Sequence, residues 1–295
     1  MNENFTVHGA MTMGGVTNVT NSALGEHPVI NIGAEQSGSE RKKRGADIGI
    51  ITMLDVETSA LRLALGLQEA PSGDLRFYTG KAGGMDITAI RTLDQGQQST
   101  IAAYDHLRAH HDPTMIVLAG IGGGIHKDVR LGDVVVATRV VYYDLRKETP
   151  EGTRHRGQER VAPAGVGHAV NAFFTDHEPA EFTETDPADT SRTFTAHHGP
   201  IGSGDAVIAD GDAEILHYLA GFNDKILAVD MEAGGFSQAC HERTADTGRP
   251  HGWVVVRGIS DKADAAKDDD YHRIASWHAA ATVRELLPYL RTAPE

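Results

Sequence analysis

A chain of 295 residues, 40% hydrophobic and 23% charged, is long enough to bury one large core and to carry an appendage. Its net charge of -14 and pI near 5.5 argue against general affinity for nucleic acid or anionic membranes, and favour small soluble ligands. The single cysteine, Cys240, excludes an internal disulfide framework and suits a reducing compartment. No uninterrupted apolar run approaches membrane-spanning length, and the amino terminus lacks a signal peptide's basic start and apolar core, so the expectation is a cytoplasmic protein.

Residues 1–44 are rich in Gly, Asn and Thr, carry isolated apolar residues and end in the polar run QSGSERKKR. Such composition reads as a flexible tail and linker; the alternation in NFTV, MTM and VINI also admits a homotypic assembly element. A globular domain over 45–295 opens with IGII as a buried strand, TMLDVE as its exit loop, and a helix from Val56 to Leu65 with Glu57 in its first turn. Strands are expected over Leu75–Tyr78 and Asp86–Ile90, then a helix entered through DQGQQS, then a buried strand MIVLA running into the loop GIGGGI. VVVA is a further strand. Glu148 to Arg160 and Glu178 to Asp189 read as loops, and Thr193–Ile201 and Ile226–Val229 as strands. Met231–His241 is expected helical, with Cys240 as buried packing, and Tyr271–Leu290 closes the chain as an amphipathic helix. Strands alternating with helices predict one three-layer α/β/α domain around a mixed, mostly parallel sheet.

The stretch WVVVRGISDKAD organises the functional reading. Val254, Val255 and Val256 form a β-branched run suited to a strand covered on both faces, so Ser260 and Asp261 lie at its carboxyl end, where ligands bind in open α/β sheets. The competing reading is that both only cap the next helix. Gly120, Gly122, Gly123 and Gly124 resemble a dinucleotide fingerprint, but HKDVRLGDVVV leads to another strand and not to the helix that motif requires. What remains is a loop where backbone at Gly122 and Gly123 could lie against a ligand, or simply a tight turn. His106 and His110 have a ligand-like spacing that no third ligand completes, so no metal is expected. Glu57, Glu232 and Asp261 each follow a predicted strand, and acids so placed can converge on one cleft.

The segments IGIITMLDVE, GIGGGIHKDVRLGDVVVA, GSGDAVI, VDMEAGGF and VVVRGISDKAD, in this order, resemble the nucleoside phosphorylase and methylthioadenosine/adenosylhomocysteine nucleosidase superfamily. GIGGGIHKDVRLGDVVV and RGISDKADAAKDDD are most similar to its branch of nucleotide-depleting immune effectors. The resemblance implies that Glu57 activates water, that Glu232 and Met231 hold the ribose, and that Asp261, oriented by Ser260, protonates the purine N7. It also implies a dimer or larger oligomer. Asp230 replaces the commoner glutamate and would reach less far, and Val207 stands where methylthioadenosine enzymes place an aromatic ring. Tyr143, with Tyr142 and Asp144, matches a segment near the sugar.

The chemistry agrees with those roles. Breaking an N-glycosidic bond passes through an oxocarbenium-like sugar, which needs a proton on the departing purine, carboxylates near the ribose and a base for water. A phosphorylase would need arginines beside C1′, and neither TMLDVE nor MIVLAGIGGG contains one, so water is the expected nucleophile. The expectation is a purine N-ribosyl hydrolase acting on an adenine nucleoside or nucleotide, without metal or organic cofactor. Arg154 and Arg156, in the basic loop after Tyr143, either meet a 5′-phosphate chain or are solvated. The alternatives are methylthioadenosine hydrolysis, phosphorolysis, and a silent nucleotide-binding module with an assembly tail.

Overall fold

The computed structural model describes residues 45–248, 251–263 and 270–291. The tail reading of 1–44 and the run at 264–269 lie outside them.

In chain order, β1 (Ile48–Thr52) leads into α1 (Asp55–Leu65), and β2 (Gln68–Ser72), β3 (Leu75–Ala82) and β4 (Met85–Arg91) form an antiparallel meander. Next come α2 (Gln97–His111), β5 (Met115–Gly124), β6 (Val134–Ala137) and β7 (Arg139–Tyr142). Three short strands follow, β8 (Arg146–Thr149), β9 (Gly152–His155) and β10 (Gln158–Val161), and then α3 (Ala164–Asp176). β11 (Glu181–Thr185), β12 (Ser191–His198), β13 (Ile201–Ser203), α4 (Glu214–Phe222) and β14 (Ala228–Asp230) lead to α5 (Ala233–Thr247). The last strand, β15 (Gly252–Asp261), is followed by α6 (Asp270–Leu286) and a 3-10 turn over Leu287–Leu290.

One mixed sheet forms the centre. β4, β1, β5 and β15 are parallel neighbours, and their apolar runs are buried because helices cover both faces. On the helix layers, α1 packs with α6, and α2 packs with α5. Ile48, Ile50 and Ile51, Ile116 to Leu118, and Val254 to Val256 form the heart of the core. Each such side chain contributes about 1.5–3 kcal/mol on leaving water. Cys240 is buried among them on α5.

Three sequence expectations need correction. The glycine run is not a loop: β5 stays extended through Gly124 because β15 pairs with it as far as Gly123. Residues 148–160 carry the hairpin β8–β9 and the edge strand β10, whose exposed faces leave no apolar alternation to read. The acidic stretch includes β11, held against β12.

Candidate active site

The long strand β5 changes partners along one edge. β15 follows it from Met115 to Gly123, whereas β1 pairs only with Met115 to Leu118 and β14 only with Gly123 and Gly124. Between them the β5 edge has no strand partner among the described residues, and such breaks in a sheet are where α/β proteins bind ligands. Glu57 occupies the gap: its Oε1 accepts the Ile121 amide at 2.9 Å.

Helix capping places Glu57 there. Leu54 precedes α1 and has no side-chain acceptor, so Glu57 Oε2 accepts the Met53 and Leu54 amides at 2.7 and 2.8 Å. Burial nevertheless drives its carboxyl above the usual carboxylate range, against the opposing pull of Arg257 and these three amides. At Gly120 a Cβ would lie 2.5 Å from Glu57 Oε1, Arg257 Nη1 and Met53 Cε, so any larger residue there would displace the ends of these site side chains.

Arg257 lies behind the cavity-lining acids Asp230 and Glu232, and the sequence reading missed it, although a charge inside a buried valine run must be paired. It is fully buried. Its Nε and Nη2 donate to Asp230 Oδ2 at 2.9 and 2.6 Å, and Nη2 also donates to Glu232 Oε2 at 3.0 Å. Asp230 Oδ1 accepts the Ala233 amide at 3.2 Å, so this shorter acid anchors the start of α5 from below. Glu232 Oε1 accepts the Gly96 amide at 2.9 Å, and burial pushes its carboxyl up to about 7, with Arg257 opposing and Asp230 adding to the rise. Gln97, also missed, locks the same corner: Nε2 donates to Ser203 Oγ at 3.1 Å while Oε1 accepts the Gly235 amide.

Asp261 closes the other end. A bulge in β15 between Ile259 and Asp261 turns it toward Gly123, where a Cβ would lie 2.9 Å from Oδ1. Ser260 Oγ donates to Asp261 Oδ2 at 3.0 Å and the Ala263 amide to Oδ1 at 2.8 Å, leaving the carboxyl oriented but not ion-paired in that set.

These groups surround one cavity of about 150 Å³. Glu57, Asp230, Glu232 and Asp261 line it, and so do Met231, Gly122, Gly123 and Tyr143; Val207, 55% exposed, stands at its rim. Ser260 acts on it through Asp261. Among the described lining residues only His272 can carry positive charge. Arg154 and Arg156 do not line the cavity; they are exposed at the β8–β9 hairpin, whose base the Arg156 amide closes onto the Leu145 carbonyl. His110 packs on Phe77 and meets Ser72 Oγ, and no group of three His, Cys, Asp or Glu stands ready for a metal among the described residues. No described helix is long and apolar enough to cross a membrane.

The chain is similar to the ATP nucleosidase Cap17 of Escherichia coli, with 25% identity over 267 residues covering 81% of this chain and 50% of that protein. It thus spans about half the length of the curated relatives it matches. The structure resembles the methylthioadenosine/adenosylhomocysteine nucleosidase of Neisseria meningitidis, with TM-score 0.64, 20% identity, and 82% of this chain and 98% of that one covered. It also resembles the futalosine hydrolase of Helicobacter pylori, with TM-score 0.63, 18% identity, and coverage of 81% and 96%. Both likenesses bear on the fold. The sequence itself matches the phosphorylase superfamily over residues 47–288, the greater part of the chain, and the protein belongs to that superfamily.

Proposed function

We propose that this chain is a purine N-ribosyl hydrolase that releases adenine from an adenine nucleoside or nucleotide. The supporting observation is the convergence of Glu57, Glu232 and Asp261 on one cavity, with Glu232 and its neighbour Asp230 held from behind by the buried Arg257. As the C1′–N9 bond breaks, its electrons pass to the purine and Asp261 delivers a proton to N7. Glu232 faces the ribose and stabilises the cationic sugar, with Met231 against its face. Water then attacks C1′, and Glu57 takes its proton; a base held high in its range by burial is suited to that step. Phosphate is disfavoured as nucleophile, since Arg257 spends Nε and Nη2 on Asp230 and Glu232, and the walls are acidic.

Within this reading the substrate is a 5′-nucleotide such as AMP or ATP, whose phosphates leave the cavity toward the hairpin. Lys147 and Arg154 stand directly opposite each other in its register, a like-charge pair that an anion would relieve. The similarity to an ATP nucleosidase supports the same choice. Apolar Met53, Leu54 and Ile121 in the lining favour methylthioadenosine as the competing substrate. We place the enzyme in the cytoplasm as a homo-oligomeric, nucleotide-depleting effector, with residues 1–44 as a tail or homotypic assembly element ahead of the 45–295 domain. Incubation with adenosine, methylthioadenosine, AMP and ATP, followed by chromatography for free adenine, tests the reading. Absence of adenine from all four overturns it in favour of a silent nucleotide-binding module.

A further inference from the structure

Glu232 stands at the N-cap of α5, where a side chain ordinarily bends back onto the amides of the second and third helical residues. Here it makes no such bond. Its Oε1 accepts the Gly96 amide at 2.9 Å, its Oε2 accepts an Arg257 N–H at 3.0 Å, and the residue lines the cavity instead. The helix amides that it leaves are taken by other elements. Ala233 donates to Asp230 Oδ1 at 3.2 Å, Gly234 to Ser203 Oγ at 2.8 Å, and Gly235 to Gln97 Oε1. Phe236 then donates to the Glu232 carbonyl at 3.0 Å and begins the helical ladder.

Gln97 is fitted closely to this place. It opens α2, is 7% exposed and does not line the cavity, although Gln95 does. Its amide can be set only one way round, because the Gly235 N–H needs an acceptor and the Gly204 carbonyl needs a donor. Nε2 accordingly donates to that carbonyl at 3.3 Å and to Ser203 Oγ at 3.1 Å. The facing helix leaves room only as glycine: a Cβ on Gly235 would lie 2.9 to 3.1 Å from the Gln97 backbone oxygen, Cβ and Cα, and one on Gly234 would lie 3.2 Å from Oε1. One side chain thus joins the start of α2, the end of β13 and the start of α5. The first carries the Gly96 amide bound to Glu232, and the third carries Glu232 itself. The second leads into Gly204, whose amide donates to the Asp230 carbonyl at 3.1 Å.

We propose that Gln97 is a positioning residue that caps α5 from α2 and so keeps Glu232 turned to the substrate. A carboxylate beside unsatisfied amides at the positive end of a helix is drawn onto them. By accepting from Gly235, and by holding Ser203 against Gly234, Gln97 removes that competing position for Glu232, and it anchors the adjoining Gly96 amide as well. The inference rests on the hydrolase reading above, in which Glu232 faces the ribose, and it adds the device that holds Glu232 there.

Gln97→Met keeps the bulk and removes both polar atoms. Its kcat for the adenine substrate that wild type cleaves fastest should fall about tenfold with KM changed less than about threefold, because Glu232 is needed most when the sugar becomes cationic. In a Glu232→Gln background the same change should cost less than about twofold, since the carboxylate to be positioned is gone. Gln97→Glu keeps an oxygen for Gly235 at the positive ends of α2 and α5, and should recover most of the activity. A crystal structure of Gln97→Met should show Glu232 off the Gly96 amide and on that of Gly235. A tenfold loss that persists in the Glu232→Gln background, a Gln97→Glu variant as slow as Gln97→Met, or Glu232 unmoved in the Gln97→Met crystal structure would overturn the proposal. Should Gln97→Met not fold, Gln97→Glu carries the test: Glu232 displaced from Gly96 in its crystal structure, or kcat reduced about tenfold, overturns the proposal. A wild type that releases no adenine strikes at the hydrolase reading instead, while the position of Glu232 in these structures still tests Gln97 itself.

Discussion

Replacing Arg257 with methionine tests whether the buried guanidinium behind Asp230 and Glu232 is an electrostatic device. Methionine keeps most of the aliphatic bulk, so the change falls mainly on charge: the side chains of Asp230 and Glu232, 1% and 6% exposed, lose a guanidinium at 2.6 and 3.0 Å. Removing one partner of a buried ion pair costs about 3–5 kcal/mol, because an uncompensated charge stays behind. We expect a loss of about 4 kcal/mol at pH 8. The loss should shrink in acid, and the sign follows from Glu232. Its carboxyl, pushed up to about 7 in the folded protein, holds a proton that the unfolded chain releases near 4.5. Its contribution to stability is therefore full below 4.5 and lost as pH rises through 7. Without Arg257 the folded proton is held still more tightly, and each further pH unit over which it is retained is worth about 1.4 kcal/mol. The expected loss at pH 5.5 is accordingly about 2.5 kcal/mol. Urea unfolding followed by circular dichroism at both pH values measures it. A loss under about 1 kcal/mol at pH 8, or equal losses at the two pH values, would refute the account.

Asp261→Asn should leave the fold intact and lower turnover about 10²- to 10⁴-fold, with adenine affinity by calorimetry changed far less; near-normal kcat removes Asp261 from the proton path. Glu57→Gln should abolish adenine release without rescue by inorganic phosphate. Ribose 1-phosphate among the wild-type products, detected by mass spectrometry, would instead make the enzyme a phosphorylase. Arg154→Ala combined with Arg156→Ala should slow cleavage of AMP or ATP while sparing adenosine, and the wild-type preference for nucleotide should narrow as salt screens the hairpin. Equal losses on both substrates would return these exposed arginines to solvation.

What could be read from the chain was whatever declares itself within a few residues. The β-branched run of β15 and the apolar spacing of α1 with Glu57 in its first turn appear almost where expected, since burial on both faces or on one helical stripe writes a local pattern. The glycine run hides its strand because residues without side chains show no period, and its partner lies far along the sequence in β15. The hairpin β8–β9 hides for the opposite reason: both its faces stay polar.

The site divides along the same line. Side-chain acids at strand ends could be picked out one at a time, but the backbone donors that hold them could not. The Gly96 amide reaches Glu232 across 136 residues, and the Ile121 amide reaches Glu57 across 64. Every peptide carries such an N–H, so nothing in residue type marks the two that matter. They are set free by topology: β1 leaves the β5 edge after Leu118 and β14 joins it at Gly123, so Ile121 faces an acid where a neighbouring strand would otherwise be. Arg257 differs from these, because its meaning was legible: a guanidinium amid Val256 and Ile259 demands buried carboxylates, and Asp230 and Glu232, two residues apart at the turn into α5, were the pair available to supply them.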